Sequence, residues 1–207
     1  MNFLIKKRLL NAGNPKGFWG IFTLKNMNND HAKLVDAGLP YAQIQRNDVC
    51  LDIGCGGGYT LKRLSEQTDN KIYGIDISET SVKLSGKFNK KGVKKGRIIV
   101  KQGSASVIPF PDETFDVITA VETFYFWENK HKCLESIYNA LKNGGRFLIL
   151  LDDYDDGTNR QAEAVDLIKL ELNKPEDIKK MLVEAGFKEI KISNINQKAL
   201  CVIATKQ

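Results

Sequence analysis

Short β-rich runs alternate with stretches of helical period along most of this chain. Val49 to Ile53 (VCLDI), Lys71 to Asp76 (KIYGID), Arg97 to Lys101 (RIIVK), Phe115 to Ala120 (FDVITA) and Gly145 to Leu151 (GRFLILL) read as strands. Between them, Tyr59 to Gln67, Glu79 to Lys90 and Lys130 to Lys142 carry helical spacing. In the last of these Leu134, Ile137, Tyr138 and Leu141 fall at i, i+3, i+4 and i+7, one apolar stripe for packing on a sheet. Gly144 and Gly145 predict the end of that helix, because glycine adopts the left-handed cap conformation at little cost. Strands that alternate with helices predict parallel strands joined by crossover helices.

The pattern changes after the fifth strand. Asp152 to Asn159 is acidic, with Gly157 and Asn159 as turn formers, and leads into a predicted helix from Gln161 to Leu172. Residues 152–172 therefore read as an insertion over the sheet edge. Asn173 stands three residues before Glu176 with Pro175 between them, a capping-box start for a helix bearing Ile178, Met181, Leu182 and Ala185 and closed by Gly186. Two last runs, Phe187 to Ile192 and Ala199 to Thr205, can pair antiparallel. The expected fold class is α/β: a Rossmann-like open sheet of mostly parallel strands, helices on both faces and an antiparallel C-terminal hairpin. Residues 1–45 are expected as an N-terminal helical cap and 46–207 as the main domain. Such sheets bind ligands outside the carboxyl ends of their strands.

Composition narrows the setting. A chain of 207 residues suits one well-cored domain and is short for two ordinary enzyme domains. Apolar residues at 42% and charged residues at 27% exclude disorder as the main state. No segment approaches the roughly 20 consecutive apolar residues of a membrane span. The opening MNFLIKKRLL is broken by Lys6, Lys7 and Arg8, so neither a transmembrane nor a secreted chain is expected. The net charge of +6 permits an acidic partner. Its main contributors, Lys83, Lys87, Lys90, Lys91, Lys94, Lys95 and Arg97, have only Phe88 among them as an aromatic residue and read as a solvated helix face. Cys50, Cys55, Cys133 and Cys201 lack paired CxxC spacing and have only His31 and His131 to join them, which predicts reduced thiols in a cytoplasm and no metal site.

The strongest chemical signal follows the first strand: Leu51-Asp52-Ile53-Gly54-Cys55-Gly56-Gly57-Gly58-Tyr59-Thr60. Glycines at 54, 56 and 58 let backbone lie against a ligand where a Cβ would collide. The dinucleotide fingerprint would place its third glycine at position 59, which is Tyr59, and no Gly-Lys-Ser or Gly-Lys-Thr follows for a P-loop. Asp52, just before the loop, would repel a pyrophosphate and can receive an amino group. NAD and ATP are thereby disfavoured.

From about residue 45 onward the chain resembles a class I S-adenosylmethionine-dependent methyltransferase, of the small-molecule type related to the ubiquinone and menaquinone methyltransferases. LDIGCGGG is similar to the family's first motif, and the resemblance implies that Asp52, Gly54, Cys55 and Gly56 line the methionine end of S-adenosyl-L-methionine, whose product is S-adenosyl-L-homocysteine. It places Asp76 of YGIDIS on the ribose hydroxyls and Ile77 on the adenine. Where the family carries Gly-Asp-Ala, this chain has Gly103-Ser104-Ala105, so Ser104 or the backbone must take the adenine amino group. The Ile108–Asp112 and Phe115-Asp116 segment and the Leu141–Arg146 turn are similar to further family motifs, with Asn143 in place of proline.

The acceptor side starts at Val121-Glu122-Thr123-Phe124-Tyr125-Phe126-Trp127, which lacks the Pro-Pro segment of base-methylating enzymes. Phe124, Phe126 and Trp127 read equally as core packing or cleft wall. Methyl transfer from a sulfonium is a direct displacement that mainly needs alignment and exclusion of water. An oxygen or nitrogen acceptor also needs a base, for which His31, Glu122, Tyr125 and Tyr154 are the candidates, with Phe18 and Trp19 beside His31 in a cap that can fold over the pocket. The expected partner is a small molecule, with oligomeric state left open. A nucleic-acid methyltransferase using the lysine face and a cofactor-binding module without catalysis are the alternatives.

Overall fold

The computed structural model describes residues 13–158, 171–195 and 198–207, apart from the side chains of Phe18 and Trp19. Seven strands, β1 (Cys50–Ile53), β2 (Ile72–Asp76), β3 (Ile98–Gln102), β4 (Phe115–Val121), β5 (Leu141–Leu151), β6 (Lys188–Ile195) and β7 (Ala199–Thr205), form one sheet in the order β3-β2-β1-β4-β5-β7-β6. Strands β1 to β5 pair in parallel, and β7 runs antiparallel to both β5 and β6. The predicted C-terminal hairpin is therefore present. It extends three residues beyond Ile192, to Ile195.

The helices are α1 (Gly17–Asp30), α2 (Ala32–Gly38), α3 (Tyr59–Gln67), α4 (Glu79–Phe88), α5 (Lys90–Lys94), α6 (Lys130–Ala140) and α7 (Pro175–Glu184). Period-2 alternation sends the side chains of β5 to opposite faces. Phe147, Ile149 and Leu151 pack with Leu134, Ile137, Ile178 and Leu182 of α6 and α7. Leu148 and Leu150 pack with Leu34, Val35 and Leu61 of α2 and α3. Both faces of the sheet are thus covered, and β1, buried at all four positions, is the middle one of the five parallel strands.

Three boundaries differ from the sequence reading. Helix α6 ends at Ala140 and not Lys142, because Leu141 turns extended, is wholly buried and pairs with Phe115. Gly144 (φ +76°) consequently forms a turn within β5, its N–H donating to the Lys206 carbonyl at 2.8 Å. At the start of α7 the cap is Lys174, without a side-chain hydrogen bond, and Asn173 lies one residue outside with its Oδ1 buried and unpartnered. Most of the predicted Gln161–Leu172 helix lies outside the described residues, and its last two, Glu171 and Leu172, are not helical.

Arg146 clamps the segment before β1 to the sheet. Its Nη1 donates to the carbonyls of Ala42 (2.8 Å) and Gln43 (2.6 Å), and its Nη2 meets Asp48 Oδ2 at 2.5 Å. Asp48 is buried, so losing its partner strands a charge. Arg146→Met is expected to lower stability by about 2–3 kcal/mol, read as a lower urea midpoint at unchanged m-value.

Candidate active site

The sheet reverses its winding at β1, whose neighbours are β2 and β4, and a ligand crevice is expected outside the strand ends at such a point. A cavity of about 560 Å³ opens there, within the range of small-molecule sites. Its walls come from the loops after β1, β2, β3 and β4 and from the N-terminal segment, including Pro15, Leu24, Asn28 and His31.

The glycine loop is shaped by contacts on both sides. Gly54 has φ +72°, and a Cβ there would come within 2.5 Å of Thr123 Oγ1, so only glycine fits between β1 and the end of β4. Asn28 of α1 reaches over the loop and donates from Nδ2 to the Gly57 carbonyl at 3.0 Å. Ser78 Oγ donates to the Pro15 carbonyl at 2.5 Å, which holds the N-terminal segment against the end of the second strand.

Asp76 stands at the end of β2 on the cavity wall. Its Oδ2 accepts from the Gly56 N–H at 2.9 Å and its Oδ1 from the Ser78 N–H at 2.8 Å. Burial pushes its carboxyl up, and the two amides and the Ser81 hydroxyl work against that shift. Beside it Ile77 is 49% exposed, a large apolar side chain bordering open cavity. Gly103, Ser104, Ala105 and Ser106 form the facing edge, with the Ser104 and Ser106 hydroxyls 3.1 Å apart.

At the other end lies a cluster of proton-carrying groups. Glu122 follows β4 with φ +53°, a strained conformation for a residue with a Cβ. Its Oε1 accepts from the Asp152 N–H at 2.5 Å and its Oε2 from the Tyr125 hydroxyl at 2.9 Å. His31 Nε2 lies 3.9 Å from the same Oε2. Burial pushes the Glu122 carboxyl up to about 8; the Asp152 amide and Tyr125 hydroxyl lower it, and the Asp153 and Asp152 carboxylates raise it. A group that changes protonation near neutrality, on a cavity wall and next to an imidazole, is suited to accept a proton from a bound molecule.

Of the residues expected from sequence, Gly54, Cys55, Gly56, Asp76, Ile77, Ser104, Ala105, His31 and Glu122 all border this cavity. Tyr125 sits behind Glu122 and reaches the site through its hydroxyl. Asp52 is not on the cavity wall: in register it faces Thr119 of β4, whose Oγ1 donates to Asp52 Oδ1 at 2.6 Å. Tyr154 points elsewhere, 3.5 Å from Asn194 Oδ1, and His131 is exposed beside Glu184. Phe124 is wholly buried against Trp127, whereas Phe126 and Trp127 border the cavity. Sequence reasoning gave no role to Leu24, Asn28 or Thr123, whose partners are far along the chain. Among the described residues no group of three or more His, Cys, Asp or Glu comes together as a metal site.

Asp52 supplies a stability test. Burial pushes its carboxyl up to about 7 from an ordinary value of 3.8, so the folded state holds its proton more tightly than the unfolded state. The stabilisation associated with that proton is complete below about pH 3.8 and is lost as pH rises toward 7. Asp52→Asn keeps the acceptor for Thr119 and removes the charge. It is expected to gain about 1–2 kcal/mol over the parent at pH 8 and nothing at pH 3.5, measured by urea unfolding at both values.

A methyltransferase domain family matches residues 51–149. An uncharacterised methyltransferase of Bacillus subtilis, YdaC, is 33% identical over 175 residues, spanning 79% of this chain and 86% of that protein. The erythromycin 3''-O-methyltransferase of Saccharopolyspora erythraea is 27% identical over 201 residues, 89% of this chain and 64% of its relative. Among solved structures, a SAM dependent methyltransferase from Aquifex aeolicus superposes with a TM-score of 0.75 at 20% identity, covering 90% of this chain and 98% of that one.

Proposed function

The chain belongs to the class I S-adenosylmethionine-dependent methyltransferases, and from that premise we propose that it methylates a hydroxyl group of a small-molecule acceptor, with the His31–Glu122 pair receiving the hydroxyl proton. The carrying observation is the buried, strained Glu122 on the cavity wall, tied to Tyr125 and within ion-pair distance of His31.

The cavity fits the cofactor on its own terms. The glycine loop leaves room for a ligand against backbone, and Asp76 offers carboxylate lone pairs beyond those its two amides occupy. Asp76 would accept from the ribose hydroxyls, Ile77 would pack on the adenine, and Ser104 with Ala105 would border the adenine edge. When bound, S-adenosylmethionine supplies a methyl group on a sulfonium, open to direct displacement by a nucleophile. Leu24, Met27 and Trp127 wall the cavity with apolar surface that excludes water.

Glu122 and His31 handle the proton. With Oε1 and Oε2 each accepting one hydrogen bond, ionised Glu122 keeps acceptor capacity, its Oε2 lies 3.9 Å from His31 Nε2, and the pair together can hold the proton lost by an acceptor hydroxyl. Tyr125 positions the carboxylate. These polar groups on the cavity wall weigh against a binding module without catalysis. The similarity to an erythromycin O-methyltransferase supports a hydroxyl acceptor.

The test is turnover of methyl-labelled S-adenosylmethionine with panels of phenols, alcohols and amines. Label is expected on oxygen in at least one hydroxyl acceptor, with release of S-adenosylhomocysteine. Label confined to amines would overturn the hydroxyl reading.

A further inference from the structure

Helix α4 turns Ser81 and Ser85, one helical turn apart, toward the glycine loop. Both are fully buried, and neither hydroxyl has a partner at full hydrogen-bond geometry among the described residues, although the Ser81 hydroxyl lies close enough to the Asp76 carboxyl, and the Ser85 hydroxyl to the Cys55 thiol, to favour their ionised forms. A buried hydroxyl left unpaired is costly, so each needs a reason. Ser85 has a steric one: it lies under Gly58, where a Cβ would come within 2.5 Å of its Oγ, and a larger side chain would hold the helix off the loop.

Ser81 is different because it borders the cavity, beside Asp76 and Ile77. Its backbone N–H is already used, donating to Ser78 Oγ at 3.2 Å, so the hydroxyl is the group left over. The ligand chemistry expected at this point is a ribose diol. Each ribose hydroxyl both donates and accepts, whereas an ionised Asp76 can only accept. The ribose oxygens thus need a donor beside Asp76, and the Ser81 hydroxyl, next to that carboxyl, can supply one.

We propose that the Ser81 hydroxyl donates a hydrogen bond to one ribose hydroxyl oxygen of the bound cofactor, completing with Asp76 a donor–acceptor pair that recognises the diol. This rests on the cofactor reading above. It makes Ser81 a cofactor-binding residue, and it explains why a hydroxyl without a well-formed hydrogen bond persists at a buried position.

Calorimetric titration of the full chain with S-adenosylhomocysteine tests it. Ser81→Ala is expected to weaken binding by about 5–10-fold, while Ser85→Ala, one turn away, stays within about twofold of the parent. The ligand-free melting temperature of Ser81→Ala is expected not to fall, since the substitution removes a buried hydroxyl that lacks a well-formed hydrogen bond. Against the 2'-deoxy or 3'-deoxy analogue of S-adenosylhomocysteine, whichever lacks the partner oxygen, parent and Ser81→Ala should bind alike. Ser81→Ala binding S-adenosylhomocysteine as tightly as the parent overturns the inference, and so does an equal loss against both deoxy analogues, which would mark a packing role. If the parent binds and Asp76→Ala does not, those results leave the cofactor reading standing. A parent that does not bind S-adenosylhomocysteine removes both.

Discussion

Glu122→Gln is expected to lower kcat by about 10²–10³-fold while S-adenosylhomocysteine affinity stays within about twofold. Glutamine is close to isosteric, and its oxygen can keep the bond from the Asp152 amide, so the turn after β4 should persist. What is lost is the ability to hold a proton beside His31. Parent turnover should rise with pH toward about 8, where Glu122 ionises, and that limb should be missing in the variant. His31→Ala should also lower kcat, and the double variant should lose little more than either single one if the two act as a unit. A Glu122→Gln enzyme with unchanged kcat and the same pH limb would show that the proton leaves by another route.

Stability should move the other way. The Glu122 carboxyl is raised from an ordinary 4.5 to about 8, so the folded state binds the proton more tightly. Its contribution is complete below about pH 4.5 and disappears as pH rises through 8. The Gln variant, having no such group, should be more stable than the parent at pH 8.5 and not at pH 4. A catalytic carboxyl kept in a buried, strained position would account for that trade.

Asp76→Ala is expected to abolish cofactor binding, with a loss of at least about 100-fold. The carboxylate receives the amides of Gly56 and Ser78, which sets the glycine loop against β2, and it borders the cavity, where on the proposed reading it accepts from the ribose. Two charge-assisted bonds at about 1.5–3 kcal/mol each account for the size of the effect. Asp76→Asn keeps one acceptor oxygen and the loop contact on one side, and should fall between parent and alanine. Calorimetry with S-adenosylmethionine, S-adenosylhomocysteine and NAD reads all three. Asp76→Ala binding within threefold of the parent would sink the ribose assignment.

Much of the fold was legible because its signals are local. The five parallel strands and the hairpin announce themselves as short apolar runs, and α3, α4 and α6 by their helical spacing. The end of α6 and the turn at Gly144 share one cause. Leu141 leaves α6 because burial against Phe115 outweighs the helical pattern, and Gly144 then serves a turn that closes on Lys206, 62 positions away. A reading confined to a window of residues contains neither partner.

The sequence alone determined the order of strands and helices, the glycine loop at the first strand end and the acidic residue at the second. Each follows from chain-local chemistry: period, turn preference and the reach of one loop. Only the tertiary structure decided that Asp52 turns to Thr119 on the neighbouring strand, that Asn28 closes on Gly57, and that His31 meets Glu122 across 91 residues of chain. Those contacts depend on sheet register and on how the N-terminal helices lie over the strand ends. Which carboxyl is left facing the cavity, and how strongly burial holds its proton, is therefore a property of the packed molecule.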